Sequence, residues 1–85
     1  LVEDWPVVDS RQMQPADLAP LFALQPELIV LGTGPTQVFP QASVLHACLS
    51  QNIGIEVMDN AAAARTYSVL AGEGRRVVAG FVFPL

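Results

Sequence analysis

The order of segments in this 85-residue chain predicts an α/β fold: three layers, with a mostly parallel sheet covered by helices on both faces. Three observations carry that expectation. Short runs rich in Ile, Val and Leu at residues 28–31, 55–58 and 77–82, with Glu56 their only charged residue, read as strands buried on both faces. Between them lie stretches whose apolar residues recur at i, i+3 and i+4, the spacing of one helical face. Gly, Pro, Asn and Asp punctuate each junction.

In chain order, Trp5, Val7 and Val8 make a short strand that Pro6 confines to an edge or an irregular start, because proline cannot donate to a ladder. Residues 14–24 follow as a helix with Leu18, Leu21 and Phe22 on its apolar face. Its proline pair, Pro15 and Pro20, leaves two options: either Asp17 is the N-cap and Pro20 sits in the first turn, or the helix is kinked. Pro26 ends it by disfavouring a helical Gln25. A buried strand follows to Leu31, then the Gly32-Thr33-Gly34-Pro35 loop. Residues 41–51 form the next helix, with Leu45, Cys48 and Leu49 facing inward and Asn52 in the left-handed position beyond its end. After the strand at 55–58, Asp59 or Asn60 caps a helix whose Ala61 to Ala64 block lets its backbone approach the sheet closely. Gly72 and Gly74 close that helix, and the last strand offers Ala79-Gly80 as a flat seat for a helix above it.

Composition narrows the function. Four Arg, no Lys and eight acidic residues give a net charge of -4 and a pI of about 4.5. Nucleic-acid binding is not expected, since it draws its affinity from a Lys/Arg surface. One Cys and one His exclude an intramolecular disulfide and a closed zinc site, so no metal is expected. No apolar run approaches the length of a membrane span, and no basic-then-apolar leader is visible, so the expectation is a cytoplasmic domain without membrane insertion. At 52% apolar residues and a mean hydropathy of +0.43, the chain carries more apolar surface than one small core hides. A protein partner, a further segment or self-association would cover the rest.

Three segments taken together carry a family resemblance: Leu28-Ile29-Val30-Leu31-Gly32-Thr33-Gly34, Gly54-Ile55-Glu56-Val57-Met58-Asp59, and Arg65-Thr66-Tyr67 followed by Gly74-Arg75-Arg76-Val77-Val78-Ala79. The chain resembles the MTH-like domain family of uncharacterised function, which includes the mitochondrial NADH dehydrogenase (complex I) assembly factor. The resemblance runs from Trp5 onward. It implies an accessory role in building a protein complex, and a fold that begins with N-terminal strands preceding this chain. One run departs from the family: its common Thr-Gly-Ala-Ala-Cys-Arg-Thr-Tyr-Asn stands here as Asn60-Ala61-Ala62-Ala63-Ala64-Arg65-Thr66-Tyr67-Ser68. Any chemistry that needs the Gly or the Cys is therefore not expected.

The candidate site lies where open α/β sheets bind ligands, outside the carboxyl ends of the strands. Gly32, Thr33 and Gly34 end one strand and Asp59 and Asn60 another. Amides at the following helix start and the guanidinium of Arg65 could meet a carboxylate or phosphate. The plain reading of the same residues is a tight turn with two caps, or an Asp59–Arg65 ion pair. A third glycine and a P-loop lysine are both missing, so no nucleotide cofactor is expected. His46 and Cys48 are two apart on one helix and point about 200° apart, so they form neither dyad nor metal pair. The sequence holds no Ser-x-Gly elbow, no His beside a nucleophile and no Lys for a Schiff base. The expected function is a non-enzymatic binding or assembly-accessory module; the alternative is a small-anion or small-molecule-binding domain, or a minor enzyme, working through the two loops.

Overall fold

The computed structural model describes Val7 and residues 9–83. Three strands, β1 (Leu28–Gly32), β2 (Gly54–Met58) and β3 (Val77–Phe81), form one parallel sheet in the order β2-β1-β3. Leu28 lies opposite Gly54 on one side and Val77 on the other, and the register is unbroken to Gly32. A buried central β1 explains why all five of its residues are hidden.

Alternation along the strands sends side chains to two separate cores. Ile29, Leu31, Val78 and Val82 join Met13, Leu18, Leu21, Val44 and Cys48 on one face. Leu28, Val30, Val77 and Ala79 join Ala63, with Tyr67 and Leu70 at the margin, on the other. The first face is covered by the N-terminal turns and by α2 (Ala42–Ser50), the second by α3 (Asn60–Gly72). α1 (Ala19–Phe22) is a single turn that extends a 3-10 turn over Pro15–Leu18. The result is the three-layer α/β arrangement expected. Among the described residues no helix is long and apolar enough to cross a membrane.

Local differences have physical causes. Residues 14–24 form neither a helix capped by Asp17 nor one kinked helix: a 3-10 turn starts at Pro15 and an α turn at Ala19, with Pro20 in the first turn of the latter, where its missing N–H breaks no helical bond. Asp17 accepts a hydrogen bond from the Gln14 amide at 2.8 Å, and so braces the first turn from within it. Gln25, held before Pro26, leaves helical space altogether at φ 53°. The inward face of α2 is Val44 and Cys48, with Leu45 half-buried and Leu49 63% exposed, in place of the Leu45, Cys48 and Leu49 face expected. Asn52 does adopt the left-handed conformation beyond the helix, at φ 58°. Among the described residues β2 is an edge strand, with Ile55 and Val57 only half-buried, not a strand enclosed on both sides. The expected N-terminal strand around Trp5 and Val8 lies outside the described residues, while Val7 is buried in the first core.

Candidate functional site

Thr33 follows the end of β1 and is nearly inaccessible, at 3% exposure. Its hydroxyl donates toward the Thr36 carbonyl at 2.7 Å, lies 3.1 Å from the Met58 carbonyl, and accepts from the Val38 amide at 2.9 Å. A hydroxyl has one proton and two lone pairs, and these contacts use the proton and one of the lone pairs. The Val38 carbonyl in turn accepts from the buried Ser10 hydroxyl. Thr33 therefore ties β1, β2 and the following loop together.

The two expected loops do lie side by side. The Asn60 amide donates to the Gly34 carbonyl at 2.8 Å, and the Asn60 side-chain oxygen accepts from the Gly34 amide at 3.1 Å. The side-chain nitrogen of Asn60 donates to the Val82 carbonyl at 2.9 Å. Asp59 is the N-cap of α3, accepting from the Ala62 amide at 2.8 Å. Gly32 needs its missing side chain: a Cβ there would run into the Asn60 side-chain oxygen, and would lie 2.8 Å from a Phe81 ring carbon and 3.2 Å from the Ala63 methyl. The gap at Gly32 is thus filled from inside the molecule. Gly34 holds a positive φ of 101°, which glycine adopts freely.

Arg65 stands one turn further along α3, exposed, and among the described residues it makes no ion pair; the Asp59–Arg65 pair does not form. The salt bridges of the described residues are Arg11 with Asp9 and Arg75 with Glu27, both at 3.3 Å and both at the surface. The Arg11 amide and guanidinium beside Asp9 hold its carboxyl below the usual range. Cys48 is wholly buried, and that burial pushes its thiol up. His46 is exposed. Among the described residues no three His, Cys, Asp or Glu side chains gather as a metal centre would require.

A second surface is the surplus apolar surface that the composition predicts but does not locate. Phe39, Leu45, Leu49, Ile55 and Val57 line a groove of about 440 Å³ between α2 and the outer edge of β2, with Gln37 and Glu56 at its margin. Phe39 is 60% exposed. The signal for this groove was present in α2 itself: Val44 and Cys48 offer an inward pair at i and i+4, which leaves Leu45 and Leu49 as an equivalent pair facing elsewhere.

The family model described as "Protein of unknown function (DUF498/DUF598)" matches residues 1–82. Among curated proteins, the chain is 31% identical over 85 residues to human NADH dehydrogenase [ubiquinone] 1 alpha subcomplex assembly factor 3, covering 98% of this chain and 46% of that one. It is 28% identical over 69 residues to the "13 kDa major membrane protein" of Francisella tularensis, covering 81% of this chain and 56% of that one. The chain thus spans about half the length of these relatives. A solved Xanthomonas campestris protein superposes with a TM-score of 0.87 at 56% identity, over 96% of this chain and 62% of that one. A Bordetella pertussis structure described as a Mth938-like domain gives 0.79 at 28% identity, over 92% and 65%. With the parallel three-strand sheet and its two helical layers in common with a Mth938-like domain, and the family model spanning nearly its whole length, the chain belongs to the DUF498/DUF598 family of proteins of unknown function.

Proposed function

We propose that this chain is a non-enzymatic protein-binding module with an assembly-accessory role, and that its binding surface is the groove between α2 and β2. The observation that carries this reading is the groove itself. Leu49 and Phe39 are more than half exposed beside half-buried Ile55 and Val57, an apolar patch that a small monomer would be expected to keep covered. Similarity to a protein named as an assembly factor supports the same direction. The reading is of a cytoplasmic protein, and cell fractionation checks that against the Francisella relative, whose name places it in a membrane.

The alternative is a small anion or small molecule held by Gly32, Thr33, Gly34, Asp59, Asn60 and Arg65. It draws support from the adjacency of the two loops and from the exposed Arg65 guanidinium. Its weakness is chemical: Gly34, Asn60 and Thr33 already bond one another and the neighbouring backbone, so few donors remain for a ligand.

The two readings separate in one experiment on the full-length protein. Phe39→Ser and Leu49→Ser replace exposed side chains and are expected to leave the melting temperature nearly unchanged. If the groove is the binding surface, each variant loses the complex that the wild type forms with its partner on a native gel, while Arg65→Ala keeps it. Retention of the complex by both groove variants contradicts the reading.

A further inference from the structure

We propose that the partner is taken up by strand addition: an extended segment of alternating apolar and basic residues pairs with the outer edge of β2. This rests on the groove being the binding surface and states what occupies it.

The backbone at that edge is set by the ladder. The Gly54 amide donates to the Glu27 carbonyl at 3.1 Å, and the Thr33 amide donates to the Met58 carbonyl at 2.8 Å. Gly54, Glu56 and Met58 therefore turn their backbone groups toward β1, and by alternation Ile55 and Val57 turn theirs outward. Among the described residues the Ile55 amide and carbonyl and the Val57 amide have no partner. The Val57 carbonyl accepts a hydrogen bond from the Gln37 side-chain nitrogen at 2.9 Å. That bond is the one an added strand's amide would make, delivered by an exposed side chain that can swing away.

Side-chain positions then define the occupant. Residues of an added strand lying alongside Ile55 and Val57 point to the α2 side, into the groove formed with Phe39, Leu45 and Leu49. The residue between them lies alongside Glu56 on the opposite face. Glu56 is exposed and has no ion pair among the described residues, and the protein's net charge is -4. A Lys or Arg at that position is complementary, whereas an acidic residue is repelled. A second copy is the poorer occupant: antiparallel pairing of two β2 strands about Glu56 sets the two Glu56 carboxylates directly opposite each other.

The test uses the full-length protein and two acetylated, amidated nonapeptides, one alternating Val and Lys, the other Val and Glu. Binding and amide hydrogen exchange are followed by NMR. Strand addition is supported if the Lys peptide slows exchange at the Ile55 and Val57 amides, binds about fivefold or more tightly than the Glu peptide, and loses most of that preference against Glu56→Gln. Gln37→Ala, which clears the Val57 carbonyl, is expected to bind the Lys peptide at least as well as the wild type. The proposal is overturned by unprotected Ile55 and Val57 amides at saturating peptide, by equal affinity for the two peptides, or by protection of these amides through dimerisation in the absence of peptide. If the amides stay unprotected while Phe39→Ser and Leu49→Ser still abolish the native complex, strand addition fails and the groove remains the binding surface.

Discussion

Asn60 occupies the space that a side chain on Gly32 would fill. Its oxygen receives the Gly34 amide and its nitrogen reaches the Val82 carbonyl, so one side chain joins the ends of β1 and β3 to the start of α3. Gly32→Ala is expected to destabilise the protein by about 1–3 kcal/mol through overpacking. Asn60→Ala is expected to cost about 1–3 kcal/mol by stranding a part-buried amide and carbonyl. Because removing Asn60 also makes room at Gly32, the double variant should be less destabilised than the sum of the two. Urea denaturation of the four proteins measures the coupling, and strict additivity would show that the two residues do not share that space.

Thr33→Val removes a hydroxyl with three polar neighbours and leaves the Val38 amide and the Thr36 carbonyl unanswered. A loss of about 1–3 kcal/mol is expected. Thr33→Ser keeps the hydroxyl and should recover most of it. Equal losses for Val and Ser, read from thermal melts, would instead trace the role of Thr33 to its methyl group.

Cys48 is buried with its thiol pKa raised by burial. In the native protein a thiol reagent should label it far more slowly than in the unfolded chain. The pH dependence has a fixed sign. The folded thiol keeps its proton to higher pH than the unfolded one, so its contribution to stability is intact below the unfolded pKa, near pH 8.5, and is lost as pH rises toward the folded value. Stability should therefore decline above about pH 8.5 more steeply for the wild type than for Cys48→Ala, and parallel pH profiles would contradict this.

Arg65→Ala should change stability by less than about 0.5 kcal/mol, because the guanidinium is exposed and makes no ion pair among the described residues. If phosphate or acetate titrated into the full-length protein shifts the amides of Gly34 and Arg65 in the wild type but not in Arg65→Ala, the anion-binding alternative gains its first direct support. No shift at millimolar anion argues against it.

The parts of the fold legible in the sequence are those where one local pattern admits one answer. Leu28 to Leu31 is apolar on both faces and is the buried central strand, and a cap ahead of the alanine block is legible as Asp59 or Asn60, of which Asp59 is the one that receives the Ala62 amide. Asn52 ends α2 in the left-handed conformation for an equally local reason. Where the outcome depended on neighbours distant in the chain, the pattern was ambiguous. At Ile55-Glu56-Val57-Met58 the charged Glu56 between two apolar residues marks a strand with one open face, but it does not say which neighbour the strand takes, because strand order is not written in periodicity. In α2, both the Val44–Cys48 pair and the Leu45–Leu49 pair satisfy helical spacing, and only the position of the sheet decides which is inward. The bracing role of Asn60 needed Gly34 and Val82 to converge on it from separate strands, which the sequence does not display.

The central claim, that the groove between α2 and β2 receives a protein, is tested most directly by site-specific photo-crosslinking in cells expressing the full-length protein. A photoreactive residue is placed at position 49 in the groove, or at position 65 beside the two loops. The expected result is one discrete crosslinked protein from position 49, lost when Phe39→Ser is added, and none from position 65. A crosslink from position 65 alone, or none from position 49, would contradict the account.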